Sequence, residues 1–318
     1  MQDEHPRGAA ATEPEIEEKN DIDSTPEPED EEAPKLSEEE EAKVREHREL
    51  SPVAIYSVIR AEGVEELDRP SSSLWWSGIA AGLGISTSVL AEGILSATFE
   101  GHLYVTAIEN LGYTLGFVLV ILARLQLFTE NTITPILPIL HRPSRAKFSA
   151  LGRLWGIVFV ANMAGTFVTA VITIYLDIIQ TEHLEAMLEI SRHFAEKTPW
   201  QSFIQGIPAG FFVAAVVWML PSSEGFEILT IMLFTYLIAM GDFSHVVAGS
   251  TEVWMLVLNH ELGLLAGVFG LLLPALAGNI LGGTGLFALL AYGQVREELG
   301  EGDRRRETEQ RKRRYISR

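Results

Sequence analysis

Apolar stretches close to the length of a membrane span dominate this chain. They run at about Leu74–Leu95, Val105–Ala123, Leu154–Leu176, Phe203–Leu220, Phe226–Ala239 and Leu264–Tyr292. A bilayer core of roughly 30 Å takes about 20 helical residues, and four of the runs reach that length or nearly so. Two others are cut by polar residues. After Ala123 comes RLQLFTENT and then ITPILPIL (Ile133–Leu140), too short to span; after Ala239 comes MGDFSHVVAGSTE and then VWMLVL. Reading each as one broken helix predicts an all-α polytopic membrane protein with six transmembrane helices, the second and fifth broken. Backbone leaves the helix at membrane depth only where protein or a cavity surrounds it, so paired breaks point to a substrate pathway. In the second break, Gly241, Gly249 and Ser250 are the residues expected to let the backbone turn away.

Charge is segregated from these runs. The 318 residues are 47% hydrophobic yet include 43 Asp and Glu. Residues 1–50 hold 19 acids against 6 bases and supply −13 of the formal net charge of −19, so the acidity describes a tail and not the fold. That tail is too poor in apolar residues to build a core and is predicted to be disordered, becoming helical from Leu36. Residues 51–70 read as an amphipathic helix, 71–293 as the six-span domain and 294–318 as a basic tail. The segment His141–Arg153 carries four Lys/Arg and the stretch after Asp303 carries eight, whereas Asp177–Ser202 has five acids and two bases. Basic loops mark the cytoplasmic side, which places both termini there, in a cell inner membrane. The basic tail reads as positive-inside anchoring, and no nucleic-acid partner is expected. Cysteine is absent, which removes thiol, disulfide and zinc-thiolate chemistry.

The two halves repeat. GIAAG (Gly78–Gly82) in the first span is matched by GIPAG (Gly206–Gly210) in the fourth. LFTENT in the broken second span is matched by FSHVVAGS in the broken fifth, and ANMAG (Ala161–Gly165) by GNILGG (Gly278–Gly283). Thr129 to Asn162 spans 33 residues and His245 to Asn279 spans 34. Three spans per half force the halves into opposite orientations, the inverted-repeat design in which the breaks meet near the midplane. An imidazole there can donate, accept or take a proton near neutral pH, and Asp242 lies close in sequence.

The residues now support a family resemblance. SPVAIYSVIRAEGVEEL (Ser51–Leu67) resembles the amphipathic helix that precedes the first span of formate/nitrite transporters. LWGIVFVANMAG, GIPAGFFVAAVVWM and ALAGNILGGTGLFALLAY resemble that family's third, fourth and sixth spans, and LFT and FSHVVAG its two broken-helix loops. The acidic extension and altered motifs look most like the YfdC-type branch. The resemblance implies an aquaporin-like fold, a homopentamer, and one pore per protomer for a small monovalent anion such as formate, nitrite or hydrosulfide, often with a proton. It implies His245 at the pore centre with Thr129 as hydroxyl partner, and an apolar constriction of Leu127 and Phe128 facing another of Ile238 and Val213. Asn162, Asn279 and Asn131 are expected to brace the broken loops.

Departures bear on the substrate. Ser244 stands where the family has an acid before the histidine, and Gly249 where it has Asn. Gly210 replaces a fourth-span Asn, and Arg124 and Gln126 stand where the first broken loop usually begins. The family's outer-vestibule lysine, thought to attract the anion, falls on Phe194, with Arg192, Glu196 and Lys197 as candidate replacements. A different small neutral or cationic solute, or a non-transporting structural role, is the alternative. An enzyme is the weakest reading, since one central histidine lacks a nucleophile or ligand set and HExxH is absent; no cofactor or metal is expected. Glu92 is expected at the interface, Glu109 and Arg124 in structural roles, and Trp75, Trp76, Trp155 and Trp254 as interfacial anchors.

Overall fold

The computed structural model of the protein describes residues 50–300. The expected acidic and basic tails fall largely outside the described residues. Within them the chain is helical, with no strand. A surface helix α1 (Pro52–Asp68) leads into α2 (Ser71–Ile85) and α3 (Thr87–Thr98), which together form one 28-residue apolar rod. Helix α4 (Val105–Leu122) ends in the first break, followed by a short α5 (Leu137–His141) and the long α6 (Arg145–Tyr175). The second half repeats the order. Surface helix α7 (Thr181–Ala195) precedes α8 (Pro199–Met219); α9 (Glu227–Met240) ends in the second break; α10 (Val246–Leu258) and the final rod α11 (Ala266–Gly300) follow.

Five of these rods are long and apolar enough to cross a bilayer, whereas α9 and α10 have only 14 and 13 residues. At 1.5 Å per residue each covers about 20 Å, so neither crosses alone. The starts obey local chemistry. Ser51 and Ser144 accept from backbone N–H groups of the first turn, and Thr198 and Gln201 close a capping box ahead of α8. Helix α7 was not anticipated, because its apolar stripe is only half of its surface. Met187, Leu188, Ser191 and Phe194 recur at helical spacing and are buried, while its acids face outward.

Small residues let the rods approach. A Cβ at Gly82 would fall on the backbone oxygen of Asn162, and one at Gly165 on that of Ile79. In the other half a Cβ at Gly210 would fall on the oxygen of Asn279, and one at Gly282 on that of Ile207. The GxxxG-like motifs thus set the α2–α6 and α8–α11 crossings by backbone contact. Leucines at 111, 115, 119 and 122 on α4, and apolar side chains at 229, 233, 237 and 240 on α9, form exposed stripes suited to lipid or a neighbouring chain. The described ends meet on one face: the Tyr56 and Tyr292 rings are 6.1 Å apart and Val295 is buried in the same cluster.

Candidate functional site

Each break begins in the same way. The last helical turn closes at Ala123 or Gly241, and the next residue enters the left-handed region, Arg124 at φ 52° and Asp242 at φ 51°. Both are non-glycine residues in a conformation that is uncommon outside Gly, Asn and Asp. Leu125 and Phe243 then donate back to Val120 and Ile238 at 3.0 Å each. Each left-handed residue is held by an ion pair to its half's surface helix or the turn after it. Arg124 reaches Glu62 of α1 at 2.7 Å, and Asp242 reaches Lys197, beyond the end of α7, at 2.8 Å. The break comes from these two residues and not from later glycines. Gly249 and Ser250 lie inside α10, correcting the expectation that they release the backbone. Bare Gly249 makes room for the Phe194 ring, and Ser250 bonds Thr166 at 2.8 Å.

One asparagine closes each break. Asn162 Nδ2 donates to the carbonyls of Gly78 (2.8 Å) and Gln126 (2.9 Å), while its Oδ1 accepts from Phe128 N–H (2.9 Å). Asn279 Nδ2 donates to Gly206 and Ser244, both at 2.8 Å, and its Oδ1 accepts from Val246 N–H at 2.9 Å. An amide has the donors and acceptor to satisfy backbone groups freed by a break. The bonded pairs fix the register: Phe128 corresponds to Val246, 34 and 33 residues before their asparagines. Leu127 is therefore the counterpart of His245, and Thr129 that of Val247. The 33- and 34-residue spacing read from Thr129 and His245 is offset from this register, because those two side chains are partners and not equivalents. Asn131 braces more locally, donating to Gln126 Oε1 (3.1 Å), and its own carbonyl accepts from Trp155 Nε1 (2.9 Å). Trp155 and Trp254 are thus half-buried braces, since Trp254 Nε1 reaches Thr166 Oγ1 at 3.2 Å. Trp76 is exposed as an anchor would be.

Two cavities approach the breaks from opposite faces. One, of about 380 Å3, is lined by α1, the first break and the α8–α9 turn, including Glu62, Glu66, Arg124, Gln126, Glu130 and Asn131. Burial lifts the Glu66 carboxyl above its usual range, against the opposing pull of Arg69. The other, of about 330 Å3, is lined by α3, α4, α7 and the second break, including Glu92, Glu109, Tyr113, Asp242, His245 and Glu252. One break opening to each face is the inverted arrangement the repeat predicts.

His245 and Thr129 meet between these cavities. Thr129 Oγ1 lies 2.7 Å from His245 Nε2, both residues are buried, and Thr129 sits between Gln126 and Glu130 of the first cavity while His245 lines the second. His245 is also the N-cap of α10. The Ala248 N–H donates to its Nδ1 at 3.2 Å. A backbone N–H can only donate, so Nδ1 is the acceptor and Nε2 carries the proton that points to Thr129. The Thr129 O–H is then left to donate elsewhere. The Phe117 ring, 4.9 Å away and nearly perpendicular, supports the imidazole edge.

Other expected residues are placed differently. Leu127, Phe128, Val213 and Ile238 are all buried in one apolar cluster. Ile238 alone of these lines a cavity; the Phe128 ring packs on Phe159 and Trp155 at 5.3 and 5.7 Å. Asp242 is held by Lys197 and does not contact His245. Of the three candidate substitutes for the missing lysine, Lys197 points inward. Its side chain is 6% exposed, and its Nζ lies 4.9 Å from the Phe194 ring centroid and reaches Asp242 O and Ser244 Oγ. Phe194 at the expected position therefore acts as the platform on which the cation rests, three residues later. Arg192 lies at the rim on Glu189 (3.0 Å) and Glu261 (2.6 Å), holding Glu261 below the usual carboxylate range. Glu196 is exposed. Glu92, expected at the interface, is buried within the protein, in the second cavity's wall. Phe117 and Tyr113 carried no motif and looked like ordinary helix residues; Glu252 stood out only as an acid ending the second polar interruption.

The comparisons agree with this geometry. A family model described as formate/nitrite transporter matches residues 53–293. The chain is 42% identical over 247 residues to the "Inner membrane protein YfdC" of Escherichia coli (strain K12), covering 78% of this chain and 80% of that one. It is 27% identical over 180 residues to "Formate-nitrite transporter 3" of Toxoplasma gondii, covering 55% of this chain and 35% of that one. Among solved structures, a pentameric formate channel with formate bound superposes with a TM-score of 0.62 at 20% identity, covering 71% of this chain and 97% of that one. An ion channel of the same family gives 0.66 at 17%, covering 76% and 98%. From a family match over most of its length and this fold, the chain belongs to the formate/nitrite transporter family.

Proposed function

We propose that the protein is a channel or transporter for a small monovalent weak acid of the formate or nitrite type, and that transport, not catalysis, is its activity. The observation that carries this reading is the Thr129–His245 hydrogen bond at 2.7 Å between two cavities of opposite faces. An anion leaving water for an apolar cluster must lose its hydration; a neutral acid loses much less. With the imidazole Nε2–H bonded to Thr129, the Thr129 O–H offers a donor to an oxygen of the weak acid at that point. In this reading Leu127, Phe128, Ile238 and Val213 form the apolar surround, and Lys197 replaces the family's vestibule lysine. Asn162, Asn279 and Asn131 hold the loops in place. The carboxylates of both cavities favour a neutral permeant over a bare anion, and they also suit a small cation as the second reading.

The test is flux into proteoliposomes of the full chain, using formate, nitrite and hydrosulfide beside ammonium and urea at two external pH values. Uptake of at least one weak acid, faster at the lower pH, is expected. Uptake of ammonium or urea alone would replace the reading with the second one, and none at all would leave a structural role.

Assembly and orientation belong to the same proposal. The fold shared with a pentameric channel and the exposed stripes of α4 and α9 support a homopentamer with one pathway per protomer. The basic stretch His141–Arg153, the meeting of the described ends on one face and the inner-membrane relative support an inner-membrane protein with both tails cytoplasmic. The division at residues 50, 70 and 293 follows the same reading. Native mass spectrometry in mild detergent should give five chains. Single cysteines in either tail should resist an impermeant maleimide in intact cells; labelling would reverse the orientation.

A further inference from the structure

The cavity on the α7 face holds carboxyl groups to which the transport reading gives no individual role. Asp242 is paired with Lys197 and lies 3.7 Å from His193, and Glu189 is paired with Arg192. Glu92 on α3 and Glu252 on α10 are different. Each is 6% exposed, each lines this cavity, and neither makes an ion pair among the described residues. Helices α3 and α10 pack against one another. Glu92 Oε2 is buried without a hydrogen-bond partner. The repeat does not demand acids here. By the register fixed at the asparagines and glycines, the counterparts on the other face are Leu220 and Thr134, which line the first cavity uncharged. Two negative charges in one buried wall are opposed by mutual repulsion and by lost hydration, and one retained proton removes the repulsion and spares one carboxyl its lost hydration. The other groups facing the pair are Glu109 and Tyr113 from α4, Glu189 and His193 from α7, and Lys197, Asp242 and His245 around the second break.

We infer that Glu92 and Glu252 are a proton-donating site for the permeant, a role that rests on the weak-acid reading above. The pair retains a carboxyl proton. When an anion enters this cavity, the Glu O–H bond breaks with its electrons remaining on the carboxylate, and an O–H bond forms on the anion. The neutral acid moves on to His245 and Thr129, and hydronium from the facing solution restores the carboxyl. Lys197 lines the same cavity in its pair with Asp242 and offers the entering anion a cation while the glutamates supply the proton.

The experiment compares wild type with Glu92→Gln, Glu252→Gln and the double variant in proteoliposomes, using formate across a range of external pH. Glutamine keeps the shape and the hydrogen-bonding groups but holds no exchangeable acid proton. Without a donor site, uptake should follow the free formic acid in solution, changing about tenfold per pH unit above the formate pKa. With one, uptake should vary less steeply. We expect a shallow profile in wild type and a steep one, severalfold slower at neutral pH, in the double variant. Infrared spectroscopy of the same proteins should show a protonated carboxylic acid C=O band at neutral pH that the double variant lacks. A wild type with the steep profile, variants with its unchanged rate and profile, or a neutral-pH spectrum without that band would each overturn the donor site and leave weak-acid transport standing. Failure of wild type to carry any weak acid overturns the transport reading itself, and the donor role with it.

Discussion

His245→Phe is expected to lower weak-acid flux about 2- to 10-fold, because a hydrogen bond between neutral groups lost at the crossing is worth about 0.5–1.5 kcal/mol. The phenyl ring fills a similar volume against Phe117 but removes both nitrogens. One of them accepts from Ala248 N–H at the start of α10, and the other meets Thr129 at 2.7 Å. Phenylalanine should therefore also destabilise the fold by about 1–3 kcal/mol, the cost of an unpaired buried donor. The two effects separate in His245→Asn. Asparagine is among the best N-caps, so Ala248 keeps an acceptor and the thermal midpoint should return towards wild type. Its shorter side chain does not reproduce the imidazole's reach to Thr129, so flux should stay low. Thr129→Val should lower flux by a comparable factor, since the bond geometry leaves the threonine O–H as a free donor. The measurement is proteoliposome flux beside thermal unfolding. Wild-type flux in a stable His245→Asn protein would reduce the histidine to a helix cap.

Asn279→Leu should have the largest effect on stability. Leucine matches the amide roughly in volume but removes the bonds to Ser244 C=O and Val246 N–H, neither of which has a helical partner at the break. At about 1–3 kcal/mol for each buried group left unsatisfied, the loss is a large share of what holds a domain folded. Val246 follows His245 directly, so the imidazole's position relaxes as well and flux should fall with stability. Asn162→Leu is the matching experiment in the first half, where Gln126 C=O and Phe128 N–H lose their partner. Midpoints in detergent well below that of His245→Asn are expected for both. Wild-type midpoints would mean that water satisfies the freed groups and that the amides are dispensable.

The helical class, the two breaks and the small-residue motifs were legible because they are written locally. Apolar length reports a span, and Gly at four-residue spacing reports a close crossing. The polar residues of the breaks stood out against their apolar surroundings. The asparagines were legible for the same reason, and so was the opposition of Thr129 and His245 once the family was suspected. Helix α7 was missed because an exposed amphipathic helix rich in acids resembles a charged loop when its buried stripe is not traced. The burial of Glu92 was not legible, because a carboxylate near the end of an apolar run usually faces solvent. Its burial depends on α10 and α7, which begin 154 and 89 residues further along the sequence.

By itself, then, the sequence determined that the chain is built from apolar helices, where two of its apolar runs are broken, and that its halves repeat. These follow from the cost of placing an unsatisfied backbone or a charge in hydrocarbon, which every residue meets locally. The tertiary structure decided which side chains share a space. It set Leu127, and not Thr129, as the repeat partner of His245, and it turned Lys197 inward over Phe194. It placed the proton of His245 on Nε2 by giving Nδ1 a backbone donor, and it gathered Glu92 and Glu252 in one wall. Such neighbours come from helix crossings between distant segments, and a crossing is fixed by the sum of all the packing contacts along two rods, so no short stretch of either one records it.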